Sequence, residues 1–267
     1  MTGTVGTVPA PVAPLAFDLT GRTAVVTGAR RGIGAAIAAA LLDHGATVVV
    51  CGRDAAQVDA QVEQLGRRGR GKPVGCVGDL TTQAGREQLL RTAGAVDILV
   101  NNAGGFTRPV TALQSTADEW DEQIALNLTV PFLLCQAVLP GMVQRRWGRI
   151  INIGSVVATA PQPDNAIGYV AAKSGLVGFT RQLAVEVARY GVTANVVNPG
   201  TVATEHLLDY FAAADEGVGE ESLSSRIPVG RLGRPDEIAA VVPFLASDAG
   251  AFTTGAVIDI NGGAVTA

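Results

Sequence analysis

Thr23-Ala24-Val25-Val26-Thr27-Gly28-Ala29-Arg30-Arg31-Gly32-Ile33-Gly34 reads as a strand, a turn and the start of a helix in consecutive residues. Thr23–Thr27 is short and apolar, as a strand buried on both faces should be. The alanine-rich stretch from Ile33 to His44 has helical character, and Gly45 follows as its C-terminal stop. Between them, Gly28, Gly32 and Gly34 are spaced Gly-x3-Gly-x-Gly, which suits a tight turn that a ligand can approach closely. Such a turn aims backbone N–H groups and the positive end of a helix at one point, where a dinucleotide pyrophosphate binds. The spacing is not the usual G-x-G-x-x-G, and a glycine-rich turn alone is a weak signal. Its place after a strand and before a helix strengthens it.

The same alternation continues outward. Thr47–Val50, Val96–Val100, Arg149–Ile153, Val192–Val197 and Val257–Ile260 read as further strands. Asp54–Leu65, Gln83–Thr92, Asp118–Met142, Tyr169–Tyr190 and Pro235–Ala246 read as helices between them. Strands alternating with helices predict an α/β fold, a parallel sheet with helices on both faces. No repeat or linker divides the chain, so residues 17–267 are expected to form one domain. Residues 1–16 carry no charged side chain and are broken by Pro9, Pro11 and Pro14. They read as a flexible arm, without the basic start and continuous apolar core of a secretory signal.

The chain has 267 residues, 48% hydrophobic and 16% charged, with a net charge of −4. That composition fits a folded enzyme with a substantial core. No basic stripe appears, which argues against nucleic acid as a partner. No uninterrupted apolar run is long enough to suggest a membrane span. Cys51, Cys76 and Cys135 lack paired or metal-type spacing and fit reduced thiols in the cytoplasm.

The end of the second strand bears on cofactor choice. A carboxylate there would accept from the ribose 2′-hydroxyl of NAD. The sequence is Val50-Cys51-Gly52-Arg53, which puts a glycine at the acid position and an arginine beside it. Arg31 sits in the turn itself, and two guanidinium groups can hold a 2′-phosphate. This favours NADP(H). Asp54 is the counter-reading, because a shift of two positions would restore an NAD site.

Chemistry is suggested by Gly168-Tyr169-Val170-Ala171-Ala172-Lys173-Ser174. The chain has 18 arginines but only two lysines, Lys72 and Lys173, so a lysine here suggests a task that arginine cannot perform. Residues four apart on a helix share a face, so the phenol and the ammonium would point at one spot. A nearby cation favours the phenolate and makes the tyrosine a better acid. Lowering its usual value of ~10 by ~2 units needs ~2.7 kcal/mol of differential stabilisation. Alone, the spacing is more simply an incidental pair on an exposed helix.

With these segments in order, the chain resembles the short-chain dehydrogenase/reductase family, from about Leu19 to Gly263. The motifs are Thr27-Gly28-x-x-x-Gly32-Ile33-Gly34, Asp79-Leu80, Asn101-Asn102-Ala103-Gly104, the set Asn127, Ser155, Tyr169 and Lys173, and Asn198-Pro199-Gly200-Thr201-Val202-Ala203-Thr204. Within the family the nearest resemblance is to beta-ketoacyl carrier-protein reductases, through the stretches at 226–239 and 244–255. The resemblance implies a Rossmann-type, doubly wound parallel sheet of about seven strands. It implies Tyr169 as general acid in carbonyl reduction and Lys173 as the residue that lowers its pKa and binds the nicotinamide ribose. Ser155 would hold the substrate oxygen, and Asn127 would keep a helix kinked and anchor a relay water. For the cofactor it implies Gly28, Arg30, Arg31, Gly32, Ile33, Gly34, Arg53, Asp79, Leu80, Asn101, Ala103, Gly104, Pro199, Gly200, Val202 and Thr204, besides Tyr169 and Lys173. No metal is implied. A homotetramer, or a dimer, is implied through the helices beginning near Asp118 and Tyr169 and through the C-terminal region.

Ser155 and Tyr169 lie 14 positions apart, one more than is usual in the family, with Pro161 and Pro163 in the gap. Glu205–Pro228 is where the family places its variable lid; here it begins with His206, Leu207, Leu208, Tyr210 and Phe211 and contains Gly217 and Gly219. Phe106 is a candidate pocket wall or a packing residue. Arg145, Arg146 and Arg149 are either a solvated surface or a docking patch for an acidic carrier. The expectation is therefore an NADP(H)-dependent reductase of a small-molecule ketone, or the reverse alcohol dehydrogenase. A carrier-bound beta-ketoacyl thioester is the alternative substrate. A non-catalytic NADP-binding sensor or scaffold is the alternative of another class.

Overall fold

The computed structural model describes residues 17–68, 70–106, 108–161, 165–205, 207 and 220–266. Seven parallel strands form one sheet: β1 (Thr23–Thr27), β2 (Thr47–Gly52), β3 (Lys72–Val77), β4 (Ile98–Asn101), β5 (Gly148–Ile153), β6 (Val192–Pro199) and β7 (Val257–Ile260). Their spatial order is β3-β2-β1-β4-β5-β6-β7. The chain builds outward from β1 to β3, then crosses back to lay β4 against β1. That reversal opens a crevice at the C-terminal ends of β1 and β4, where ligands of such sheets bind.

Successive strand residues face opposite sides, and here both sides are apolar. Ala24, Val26, Val48 and Val50 pack with Ile37, Leu41 and Leu42 of α1 (Gly32–Asp43) and with Ile238, Val242 and Leu245. Val25, Val49 and Leu99 pack on the other side with Leu89 of α3 (Gln83–Ala93), Leu134 of α5 (Val130–Arg145) and Leu183 of α6 (Ile167–Val187). The helix α2 (Ala55–Gly66) links β2 to β3.

Four features differ from the sequence reading. β3 is an additional strand; Pro73 and Gly75 mask it, and a proline is tolerated because this strand is the sheet edge. The helix read at 118–142 is α4 (Ala117–Ile124), a π-helical turn (Ala125–Thr129) and α5. The helix read at 235–246 is two short ones, α8 (Pro235–Ala239) and α9 (Val242–Ala246), with Pro243 in the first turn of the second. Before them comes α7 (Glu220–Ser224). Finally, the continuous helical segment Ala117–Arg145 is long and apolar enough, by length and composition, to cross a membrane. Its Leu134, Cys135, Val138 and Met142 are buried in the core beside the sheet, while Phe132 on the same helix is exposed. The arm read at 1–16 lies outside the described residues.

Candidate active site

The turn after β1 is built for close approach. Gly28 and Gly32 have φ of 64° and 57°, the left-handed region that favours glycine. A Cβ on Gly34 would lie 2.4 Å from both the Gly28 carbonyl and the Asn102 amide nitrogen. The loop after β4 pins this turn. Asn102 Nδ2 donates to the carbonyls of Thr27 (2.8 Å) and Gly28 (3.2 Å). Thr27 Oγ1 accepts from the backbone N–H groups of Asn102 and Ala103, both at 2.9 Å. Asn102 was not among the expected contact residues, although its motif was legible. Asn101, which was, is buried: its amide donates to Asn152 Oδ1 (2.8 Å), which connects onward to Thr180 of α6. Its side chain serves the core, not the turn.

The end of β2, where the sequence reading expects a cofactor ribose, carries no acid. β2 ends at Gly52, and the Arg30 side chain passes within 4.0 Å of where a Cβ would stand. Asp54 caps α2, accepting from the Gln57 backbone N–H at 2.9 Å. Arg30 donates to the Gln57 side chain, and Arg53 is exposed. Asp79 accepts from the Thr81 backbone (2.9 Å) and hydroxyl (2.7 Å). Those bonds, with a smaller effect from the charge of Arg53, hold its carboxyl below the usual range. Asp79 therefore caps its turn, and Leu80 beside it is buried. The left-handed glycines, the close approach at Gly34 and the cation-flanked strand end together fit a nicotinamide dinucleotide.

Beside the turn, the ends of β5 and β6 meet α6 and the π turn. Ser155 follows β5, and its backbone N–H donates to Asn198 Oδ1 at 3.0 Å. That approach requires Gly154, where a Cβ would stand 2.1 Å from the same oxygen. Tyr169 and Lys173 lie one turn apart on α6, with the Lys173 nitrogen 5.6 Å from the centre of the Tyr169 ring. Lys173 is buried and donates to the Ile153 carbonyl at 2.7 Å. A Cβ on Gly104 would stand 3.3 Å from that nitrogen and 2.5 Å from Asn127 Oδ1. Asn127, in the π turn, is fully buried. It accepts from the Gly105 N–H (2.9 Å) and donates to the Gly105 (3.1 Å) and Gln123 (2.9 Å) carbonyls.

Burial opposes charge on both members of the pair. It raises the Tyr169 phenol, and a hydrogen bond with Ser155 pulls it partly back. It lowers Lys173 from 10.5 to about 8. The four-residue spacing predicts that the ammonium dominates and lowers the phenol. Here desolvation is the larger effect: Lys173 is buried, Tyr169 is half-buried beside Ser155, and the ammonium is turned to a backbone carbonyl.

The loop after β6 closes over the turn. The Gly200 N–H donates to the Ile260 carbonyl at 3.0 Å, and a Cβ on Gly200 would collide with Asn261. Val202 is buried and bridges to Gly233. Thr204 lies within 3.3 Å of the Cβ position of Gly32. The turn, the Pro199–Thr204 loop and the Ser155–Tyr169–Lys173 cluster thus adjoin the strand ends. The lid residues His206, Leu208, Tyr210, Phe211, Gly217 and Gly219, and Pro163, lie outside the described residues. Of the arginine cluster, Arg145 and Arg146 lie at the surface, as a solvated patch would, and Arg149 does not. Arg149 is 2% exposed, stacked 4.4 Å over Trp147 and bonded to the Ser247 carbonyl at 3.1 Å. Arg145 pairs with Asp97 at 3.4 Å, and Arg146 donates to the Arg189 carbonyl at 3.0 Å. All three lie at the opposite end of β5 from Ser155.

A family model described as enoyl-(acyl carrier protein) reductase matches residues 28–265. The chain is 43% identical over 247 residues to the 3-oxoacyl-acyl-carrier-protein reductase of Vibrio harveyi, covering 92% of this chain and 98% of that one. Its structure is similar to a 3-oxoacyl-acyl-carrier-protein reductase from Brucella melitensis solved with bound NAD (TM-score 0.85, 32% identity, 98% of this chain and 99% of that chain). It is equally similar to a putative NAD(P)-dependent gluconate 5-dehydrogenase from Beutenbergia cavernae solved with bound NADP (TM-score 0.85, 35% identity, 93% and 98%). Matched over nearly its whole length, in sequence and in structure, the chain belongs to the short-chain dehydrogenase/reductase family of oxidoreductases.

Proposed function

We propose that this protein reduces a ketone to a secondary alcohol with NADP(H). The observation that carries the reading is the hydroxyl pair of Ser155 and Tyr169 with buried Lys173 one turn away. A carbonyl oxygen held by both hydroxyls receives a hydrogen bond from Ser155 and a proton from Tyr169. Lys173 supports the phenolate left behind, since the two opposite charges relieve each other's burial. Asn127 holds the loop after β4 and the π turn in register. When bound, the nicotinamide supplies the hydride. An assembled proton donor argues against an idle sensor or scaffold.

A 3-oxoacyl thioester on a carrier protein is the favoured substrate, because the Vibrio harveyi relative, aligned over 98% of its length, bears that name. Following NADPH absorbance with an acetoacetyl thioester beside a panel of free ketones tests both readings. Oxidation with neither sinks the assignment, and turnover of free ketones alone sinks the carrier reading.

NADP(H) over NAD(H) is supported by Gly52 at the acid position, the capping role of Asp54 and the nearby Arg31 and Arg53. A charge-assisted hydrogen bond contributes about 1.5–3 kcal/mol, so Arg53→Ala should raise KM for NADPH about 10-fold or more. Little change is expected with NADH; equal loss with both cofactors contradicts the assignment. A homotetramer is supported by exposed apolar side chains on the outer helices, Phe132 on α5 (43% exposed) and Val185 on α6 (79%). Light scattering should give four times the 27.2 kDa chain mass. The three unpaired cysteines suit a reducing compartment such as the cytoplasm.

A further inference from the structure

The chemistry above leaves Phe106 without a role. Its ring lies 5.1 Å from that of Tyr169, tilted by 54°, within the range of favourable aromatic pairs. Phe106 is only half-buried, and so is Tyr169. Its aim is fixed by the residue before it. Gly105 has φ of 137°, a backbone that L side chains rarely adopt. Both backbone polar groups of Gly105 are held by Asn127, which is itself tied to Gln123. The loop therefore presents Phe106 to Tyr169 from a backbone clamped at the preceding residue.

A substrate oxygen must come within about 2.5–3.0 Å of the Tyr169 hydroxyl to take its proton. The carbonyl carbon then lies just beyond, and its two substituents spread to either side. With an aromatic ring packed on the phenol, the space on one side is bounded by Phe106. We propose that Phe106 is a specificity-determining wall. It contacts the substituent flanking the carbonyl, favours flat or unbranched apolar groups there, and so sets which face of the ketone is reduced. This inference rests on the ketone-reduction reading.

The test is the enantiomer ratio of the alcohol formed from an aryl methyl ketone, with kcat/KM measured beside an unbranched 3-oxo ester. A ratio is unaffected by a change in the amount of folded enzyme. Phe106→Ala should lower it about five- to tenfold, the scale of an aromatic contact in an apolar pocket. Phe106→Tyr should keep it, and the Kd for NADPH should not move in either variant. If Phe106→Ala fails to fold, Phe106→Leu, which keeps bulk without the ring, should still lower the ratio. An unchanged ratio in a folded variant, with activity falling in parallel on every ketone, would overturn the proposal and leave Phe106 a packing residue. A wild-type protein inactive on every ketone removes the underlying reading instead, and that outcome is distinct.

Discussion

Tyr169→Phe should leave NADPH binding intact and lower kcat/KM for ketone reduction by about 100- to 10,000-fold, the range of a positioned general acid. The substitution removes one oxygen. The ring, its contact with Phe106 and the surrounding α6 packing stay as they are. Ser155 keeps its backbone bond to Asn198, so it still offers a hydrogen bond to the substrate oxygen. What is lost is the proton. Intact binding with lost turnover separates a chemical role from a structural one. Retained turnover would show that the proton comes from elsewhere.

Lys173→Arg should lose activity on a similar scale, although it preserves the charge. The Lys173 nitrogen is enclosed, at 2.7 Å from the Ile153 carbonyl and 3.3 Å from the Cβ position of Gly104. A planar guanidinium has no room there, and its donors lie in a fixed fork. Lysine also titrates where arginine does not. Burial lowers Lys173 from 10.5 to about 8, so the ammonium that supports the phenolate is lost as pH rises through about 8. In the wild-type enzyme, kcat/KM for NADPH, which reports the free protein, should fall on that alkaline side. In Lys173→Arg the residual activity should lack this limb, and an identical pH profile would contradict the assignment. The same shift acts on stability. Between about pH 8 and 10.5 the unfolded chain holds a proton at Lys173 that the folded chain has lost. The contribution of Lys173 to stability therefore rises with pH across that window.

The parallel sheet was legible wherever its strands are apolar on both faces, as in β1, β2 and β5. β3 was not, because an edge strand half open to solvent can carry a proline and a glycine that read as loop. The helical pattern runs on through the π turn, so only the family resemblance, with Asn127 keeping a helix kinked, pointed to an irregularity there. Of the four candidate catalytic residues that stand in family motifs, the structure brings Ser155, Tyr169 and Lys173 to one place. Motifs do not reveal which way a side chain turns. Asn101 and Asn102 are consecutive at a strand end, so they face opposite sides. One enters the core and the other holds the turn. Arg149 shows the converse limit: its charge suggested surface, but an aromatic stack and backbone carbonyls let it be buried.

Whether this site transfers a hydride and a proton to a ketone is tested most directly by a reduction with NADPH deuterated at the transferred position. We expect one secondary alcohol per NADPH oxidised, with one deuterium on the carbinol carbon and none on the oxygen after exchange. Oxidised cofactor without alcohol, or an alcohol without deuterium on that carbon, would contradict the account.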